Sequence, residues 1–130
     1  MHRLFLFLGA ANAALAVMLG AFAAHGLQSL EPRLLAAFKT GAQYHMYHAL
    51  GLALIGALAG ARASDRPLWL AGWLMTAGIV LFSGSLYALA LSGFGWLGAI
   101  TPFGGTAFIA AWLLLAWSTL RRPPGRPSGS

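Results

Sequence analysis

Residues 4–24 read LFLFLGAANAALAVMLGAFAA, with no charged side chain from Leu4 to Ala24. A helix rises 1.5 Å per residue, so about 20 apolar residues cross the hydrocarbon core of a bilayer. Three further stretches have the same character: Thr40–Ala61, Leu68–Ser92 and Pro102–Leu120. The whole chain of 130 residues is 59% hydrophobic and only 8% charged. A soluble domain carries about 25% charged residues, so the composition belongs to a membrane protein. The predicted fold class is all-α: an integral membrane four-helix transmembrane bundle over residues 1–120. Residues 121–130, rich in arginine and proline, are expected to form a disordered cytoplasmic tail.

The charges that remain set the topology. Arg3, Arg62, Arg66, Arg121, Arg122 and Arg126 fall on one side of a four-span chain. Arg33 and Lys39, partly offset by Glu31, fall on the other. The positive-inside rule then places both termini in the cytoplasm. A bacterial plasma (inner) membrane is the expected location, given the bias toward Ala, Gly, Leu and Arg. The arginines are expected to meet anionic lipid headgroups, and no nucleic acid partner is expected. Ala21-Phe22-Ala23 has the form of a signal-peptide cleavage site. The apolar run before it is too long for one and is interrupted by Asn12, so a retained first helix is expected.

Between the first two spans, Leu27, Leu30, Leu34 and Phe38 repeat at helical spacing, and Pro32 suits a first helical turn. Gly26–Lys39 is therefore expected to be a short interfacial amphipathic helix, or else a lid over the bundle mouth. Gly9, Ala13, Ala16 and Gly20 give the first helix a face of small residues, and Ala49, Ala53 and Ala57 do the same for the second. Such faces let helix backbones approach closely. Thr101-Pro102 reads as an N-cap followed by a proline at the start of the last helix.

Candidate site residues gather at the outer end. His25 closes the first helix, while His45 and His48 fall near the start of the second and share a face at i, i+3. Gln43 stands nearby and Tyr87 reaches the same level from the third helix. Ionisable groups within a membrane are costly and raise a suspicion of ion, proton or ligand handling. The competing reading is interhelical hydrogen bonding, which is also the simplest role for Asn12. Ser83 and Tyr87 share a face at i, i+4, and the serines are expected to bond carbonyls of the preceding turn. Metal binding stays open, a haem between His25 and His48 is weakened by their different depths, and no cofactor is expected. No Asp or Glu lies within a span, so the acid and base of a hydrolase are missing.

Four motifs stand in one order: Gly20-Ala21-Phe22-Ala23-Ala24-His25, Thr40-Gly41-Ala42-Gln43-Tyr44-His45-Met46-Tyr47-His48, Leu81-Phe82-Ser83-Gly84-Ser85-Leu86-Tyr87 and Thr101-Pro102-Phe103-Gly104-Gly105. With Trp112 they resemble the family known as domain of unknown function 423, or uncharacterised protein family 0382, related to eukaryotic transmembrane protein 256. The resemblance covers about residues 3–112. His25 and His48 fall on positions of the family pattern, whereas His45 does not. The resemblance implies a four-span membrane protein and supplies no activity or catalytic residue. The expected function is that of a non-enzymatic accessory or scaffold component, in a homo-oligomer or larger membrane complex. The alternative is a small transporter or channel that handles an ion or proton through the outer histidines.

Overall fold

The computed structural model describes residues 2–62 and 65–121, so the expected tail lies outside the described residues apart from Arg121. Among the described residues there are four helices: α1 (His2–His25), α2 (Pro32–Ala61), α3 (Arg66–Ser92) and α4 (Thr101–Leu120). α3 contains one π-helical turn at Ile79–Ser83, and a 3₁₀ turn at Gly95–Ala99 leads into α4. Gly93 ends α3 in the left-handed conformation at φ 76°, with its N–H donating to the Leu89 carbonyl. Glycine adopts that conformation without steric cost, which is why α3 stops there.

Among the described residues, three helices are long and apolar enough to cross a membrane: α1, α3 and the stretch Gly95–Leu120 that contains α4. α2 has the length, at 30 residues, but not the hydropathy. Its polar run Gln43-Tyr44-His45-Met46-Tyr47-His48 lowers the average over every long window. The second of the four expected spans therefore differs in kind from the others.

The separate interfacial helix does not form. Residues 32–61 are one continuous helix, because nothing between Pro32 and Thr40 breaks it and Pro32 supplies its start. The apolar side of residues 27–38 turns inward. Leu27 and Phe38 are buried with Ala23 and Ala90, and Leu30, Leu34 and Leu35 pack against them. This small cluster seals the end of the bundle where α1 meets the start of α2, which is the lid arrangement.

α1 lies along α2. A Cβ placed on Gly9 would stand 2.5 Å from the Ala53 amide nitrogen, and one on Gly56 would stand 2.6 Å from that of Leu6. Both positions thus require glycine for the backbones to come this close, as expected where dispersion and not water drives helix association. Ala57, expected on the same face, is exposed instead. A larger apolar cluster joins Phe5, Leu52, Ile55, Leu68, Met75, Ile79, Phe108 and Leu115 from all four helices.

At the opposite end from the lid, the Arg62 guanidinium donates to the Ser118 carbonyl, and the Ser118 hydroxyl donates to Asp65 Oδ2 at 2.6 Å. The other Asp65 oxygen accepts from the Leu68 amide at 3.3 Å and caps α3. This cluster ties the α2–α3 connection to the last turn of α4. Thr101 is not the expected N-cap: it is the first residue of α4, and its hydroxyl instead lies 2.7 Å from that of Ser85.

Candidate functional site

Between the two apolar clusters, α1, α2 and α3 each present one polar side chain: Asn12, His45 and Tyr87. The Asn12 amide donates from Nδ2 to the Leu8 carbonyl at 2.8 Å. That bond turns Oδ1 toward α2, where it lies 2.8 Å from His45 Nε2. An amide oxygen only accepts, so Nε2 carries the proton and donates. In the neutral ring Nδ1 is then the acceptor, and it takes the Tyr87 hydroxyl proton at 2.9 Å. The result is a directed run of bonds from Tyr87 through His45 to Asn12 and the Leu8 carbonyl. It pins three helices together at one level. The run stops at a carbonyl, which has no proton to pass on.

His45 is buried, and both its nitrogens are used. Tyr87 is held from the lid side by Phe38, with ring centroids 4.8 Å apart. His45 lies thirteen residues beyond Pro32, in the fourth turn of α2 rather than the first. That is about 20 Å from the helix start, and the difference follows from the early start of α2.

His48 faces a different neighbour. Its ring stacks on Phe108 of α4 at 3.4 Å between centroids and 9° between planes. Trp112 meets it edge-on at 6.0 Å, and Tyr44 lies nearly parallel at 5.9 Å. Nδ1 donates to the Tyr44 carbonyl at 2.6 Å, which leaves Nε2 as the acceptor of the neutral ring. The i, i+3 offset that puts both histidines on one broad face is enough to send His45 into the α1–α3 seam and His48 under α4.

The remaining candidates separate. His25 is exposed at the end of α1, thirteen residues past Asn12 and hence about 20 Å from it along the helix. It does not join His45 or His48, so neither the three-histidine grouping nor a haem-bridging pair forms. Among the described residues, no three His, Asp or Glu side chains are placed to share a metal ion. Gln43 is exposed and donates to the Tyr47 hydroxyl at 2.6 Å, away from His45. Ser83 is fully buried and donates across to the Gly41 carbonyl of α2 at 2.8 Å, not to its own preceding turn. The π turn that ends at Ser83 shifts its register and frees it for this contact. Ser85 does bond its own helix, at the Phe82 carbonyl, besides meeting Thr101.

Two groups were invisible as partners in the sequence. Phe108 looked like one more apolar residue of a span, and Ser118 like a helix-end hydroxyl. Asp65 offered the one usable signal for Ser118. It is the only Asp or Glu of the sequence besides Glu31, and a buried carboxylate needs donors from whatever helix ends beside it.

Residues 19–105 match the family model described as a protein of unknown function, DUF423. The chain is 52% identical over 120 residues to the UPF0382 membrane protein YwdK of Bacillus subtilis, covering 92% of this chain and 98% of that one. It is 49% identical to a UPF0382 membrane protein of Staphylococcus epidermidis, over 92% of this chain and 97% of that one. A UPF0382 membrane protein of Staphylococcus saprophyticus is 48% identical, over 92% and 98%. No solved structure matches.

Proposed function

This chain belongs to the DUF423 family of membrane proteins, and from that premise we propose that it is a non-enzymatic accessory or scaffold component of a larger membrane complex. In this reading α1–α4 form a four-helix transmembrane bundle in the bacterial plasma membrane, with both termini cytoplasmic. The cytoplasmic end carries Arg3, Arg62, Arg66 and Arg121, which suit anionic headgroups. α2 crosses with its polar run turned to its neighbours, where intramembrane polar groups belong.

The observation that carries the proposal is the Asn12–His45–Tyr87 bridge. The ionisable ring at the centre of the bundle has both nitrogens committed to holding α1 and α3. It has neither a free valence for chemistry nor an acidic partner, and serves to fix the shape that the outer faces present. Those faces are broad and apolar: Phe7, Val17 and Met18 on α1, and Ile109, Leu113 and Trp117 on α4, are all largely exposed.

The test is native extraction into lipid nanodiscs followed by quantitative proteomics. A reproducible partner in fixed stoichiometry is the expected result. Recovery of the chain alone, or only as a homo-oligomer, would overturn the accessory role.

A further inference from the structure

His48 has one ring nitrogen to spare. Nδ1–H is spent on the Tyr44 carbonyl, and no partner is described for Nε2. Every sealed polar side-chain atom among the described residues has a hydrogen-bond partner. Nε2 therefore belongs to the 5% of His48 that reaches the protein surface. Around it stand Phe108, stacked on the ring, and Tyr44 and Trp112, each 39% exposed. The surface here offers a single neutral acceptor framed by aromatic rings.

Its depth restricts what can reach it. His48 is thirteen residues from Ala61, about 20 Å along α2 and inside the hydrocarbon layer if the bundle spans the membrane. Phospholipid headgroups lie too far away to donate to it. Serine and threonine hydroxyls on a neighbouring helix are poor candidates, because in a helix their single proton is drawn to a carbonyl one turn back. Thr76, Ser92 and Thr106 of this chain do that, donating to Gly72, Ala88 and Pro102, and exceptions are Ser83 at the π turn and Ser118 beside Asp65. The donor that fits is a small bilayer-soluble molecule that carries its own hydroxyl. Flat aromatic surroundings favour a flat ring, through offset or edge-to-face contact. An unpaired hydroxyl is costly in hydrocarbon, so donor and acceptor both gain from meeting.

We propose that His48 Nε2, framed by Tyr44, Phe108 and Trp112, is a binding site for a bilayer-soluble aromatic hydroxyl compound of the phenol or hydroquinone class. The site binds without chemical change: the ring hydroxyl donates to Nε2 and the ring lies against Tyr44 and Trp112. This goes beyond the accessory role and needs only that the bundle lie in a bilayer.

The experiment uses the full chain, labelled with ¹⁵N-histidine, in nanodiscs. Tetramethylhydroquinone is titrated in and the ring nitrogens are followed by NMR. Its oxidised form, tetramethylquinone, has the same ring and no hydroxyl proton, and serves as the control. The expected result is a saturable shift of one acceptor-type Nε2 signal, at least tenfold tighter for the hydroquinone, and absent in His48→Phe. The proposal is overturned by no saturable shift, by equal binding of the two forms, or by a shift that survives in His48→Phe. It is also overturned if Nε2 is already hydrogen-bonded without ligand in a concentration-dependent way, which would mean a second copy of the chain. Should His48→Phe not fold, the comparison of the two forms on the wild-type chain decides alone.

Discussion

Removing the Tyr87 hydroxyl while keeping its ring isolates the cost of one unpaired acceptor. Tyr87→Phe preserves the contact with Phe38 but leaves His45 Nδ1 with nothing to accept from. Hydrogen bonds between membrane helices average about 0.6 kcal/mol and reach about 1.7, and a stranded buried acceptor costs about 1–3. The expected loss is about 1 kcal/mol, read by reversible unfolding in bicelles. Unchanged stability would mean that the bond contributes nothing. Asn12→Leu should cost a similar amount alone, and much less once His45→Leu is also present, because no Nε2 proton is then left without its acceptor. At this scale the sequence was partly legible. Asn12, His45 and Tyr87 stood out as polar groups in apolar runs, and hydrogen bonding between helices was the simple expectation. That these three meet, while His25 and Gln43 do not, depends on rotations of tens of degrees about each helix axis. No single-residue property encodes those.

The elements respond differently to the same kind of substitution, and glycine shows it best. Gly9→Val and Gly56→Val should force α1 off α2, since the added carbon would meet backbone that cannot step aside. A loss of about 1–3 kcal/mol or more is expected for each. Gly84→Ala has nothing within 4 Å of its new carbon and should gain about 0.5–1 kcal/mol through helix propensity. Thermal unfolding followed by size-exclusion chromatography orders the three, and a destabilised Gly84→Ala would contradict the open space seen there. The small faces of α1 and α2 were readable because spacing alone reveals them. The start of α2 was misread because an amphipathic segment and an apolar one met at Thr40 with no breaker between them. A change of pattern there was a change of surroundings along one helix. The π turn at Ile79–Ser83 left no mark in the sequence, since the added residue is absorbed only when Ser83 finds the Gly41 carbonyl.

For the whole molecule, the proposed orientation makes Gly95 extracytoplasmic and Arg121 cytoplasmic. The chain has no cysteine, so single replacements at these exposed positions report without background. Gly95→Cys should react with a membrane-impermeant maleimide in intact cells, and Arg121→Cys only after lysis. The reverse pattern would invert the topology. The clamp of Arg62, Asp65 and Ser118 is a second global feature. Asp65→Asn would weaken the hold of Arg62 and Ser118 on the α2–α3 connection, and earlier protease entry at that connection is the expected readout. Overall architecture was the most legible level. Apolar length is a sum over many residues and survives local errors, whereas the clamp joins residues 53 positions apart and is visible only once the helices are arranged.

The bridge at His45 also sets an order of events during synthesis. Its Asn12 partner is made 33 residues earlier, and its Tyr87 partner follows 42 residues later. At 5–20 residues per second, the hairpin of α1 and α2 waits roughly 2–8 s for the hydroxyl that completes it. Through that interval His45 of the nascent chain has one of its two partners and lacks the other. The arrival of Tyr87 supplies the missing donor and completes the bridge.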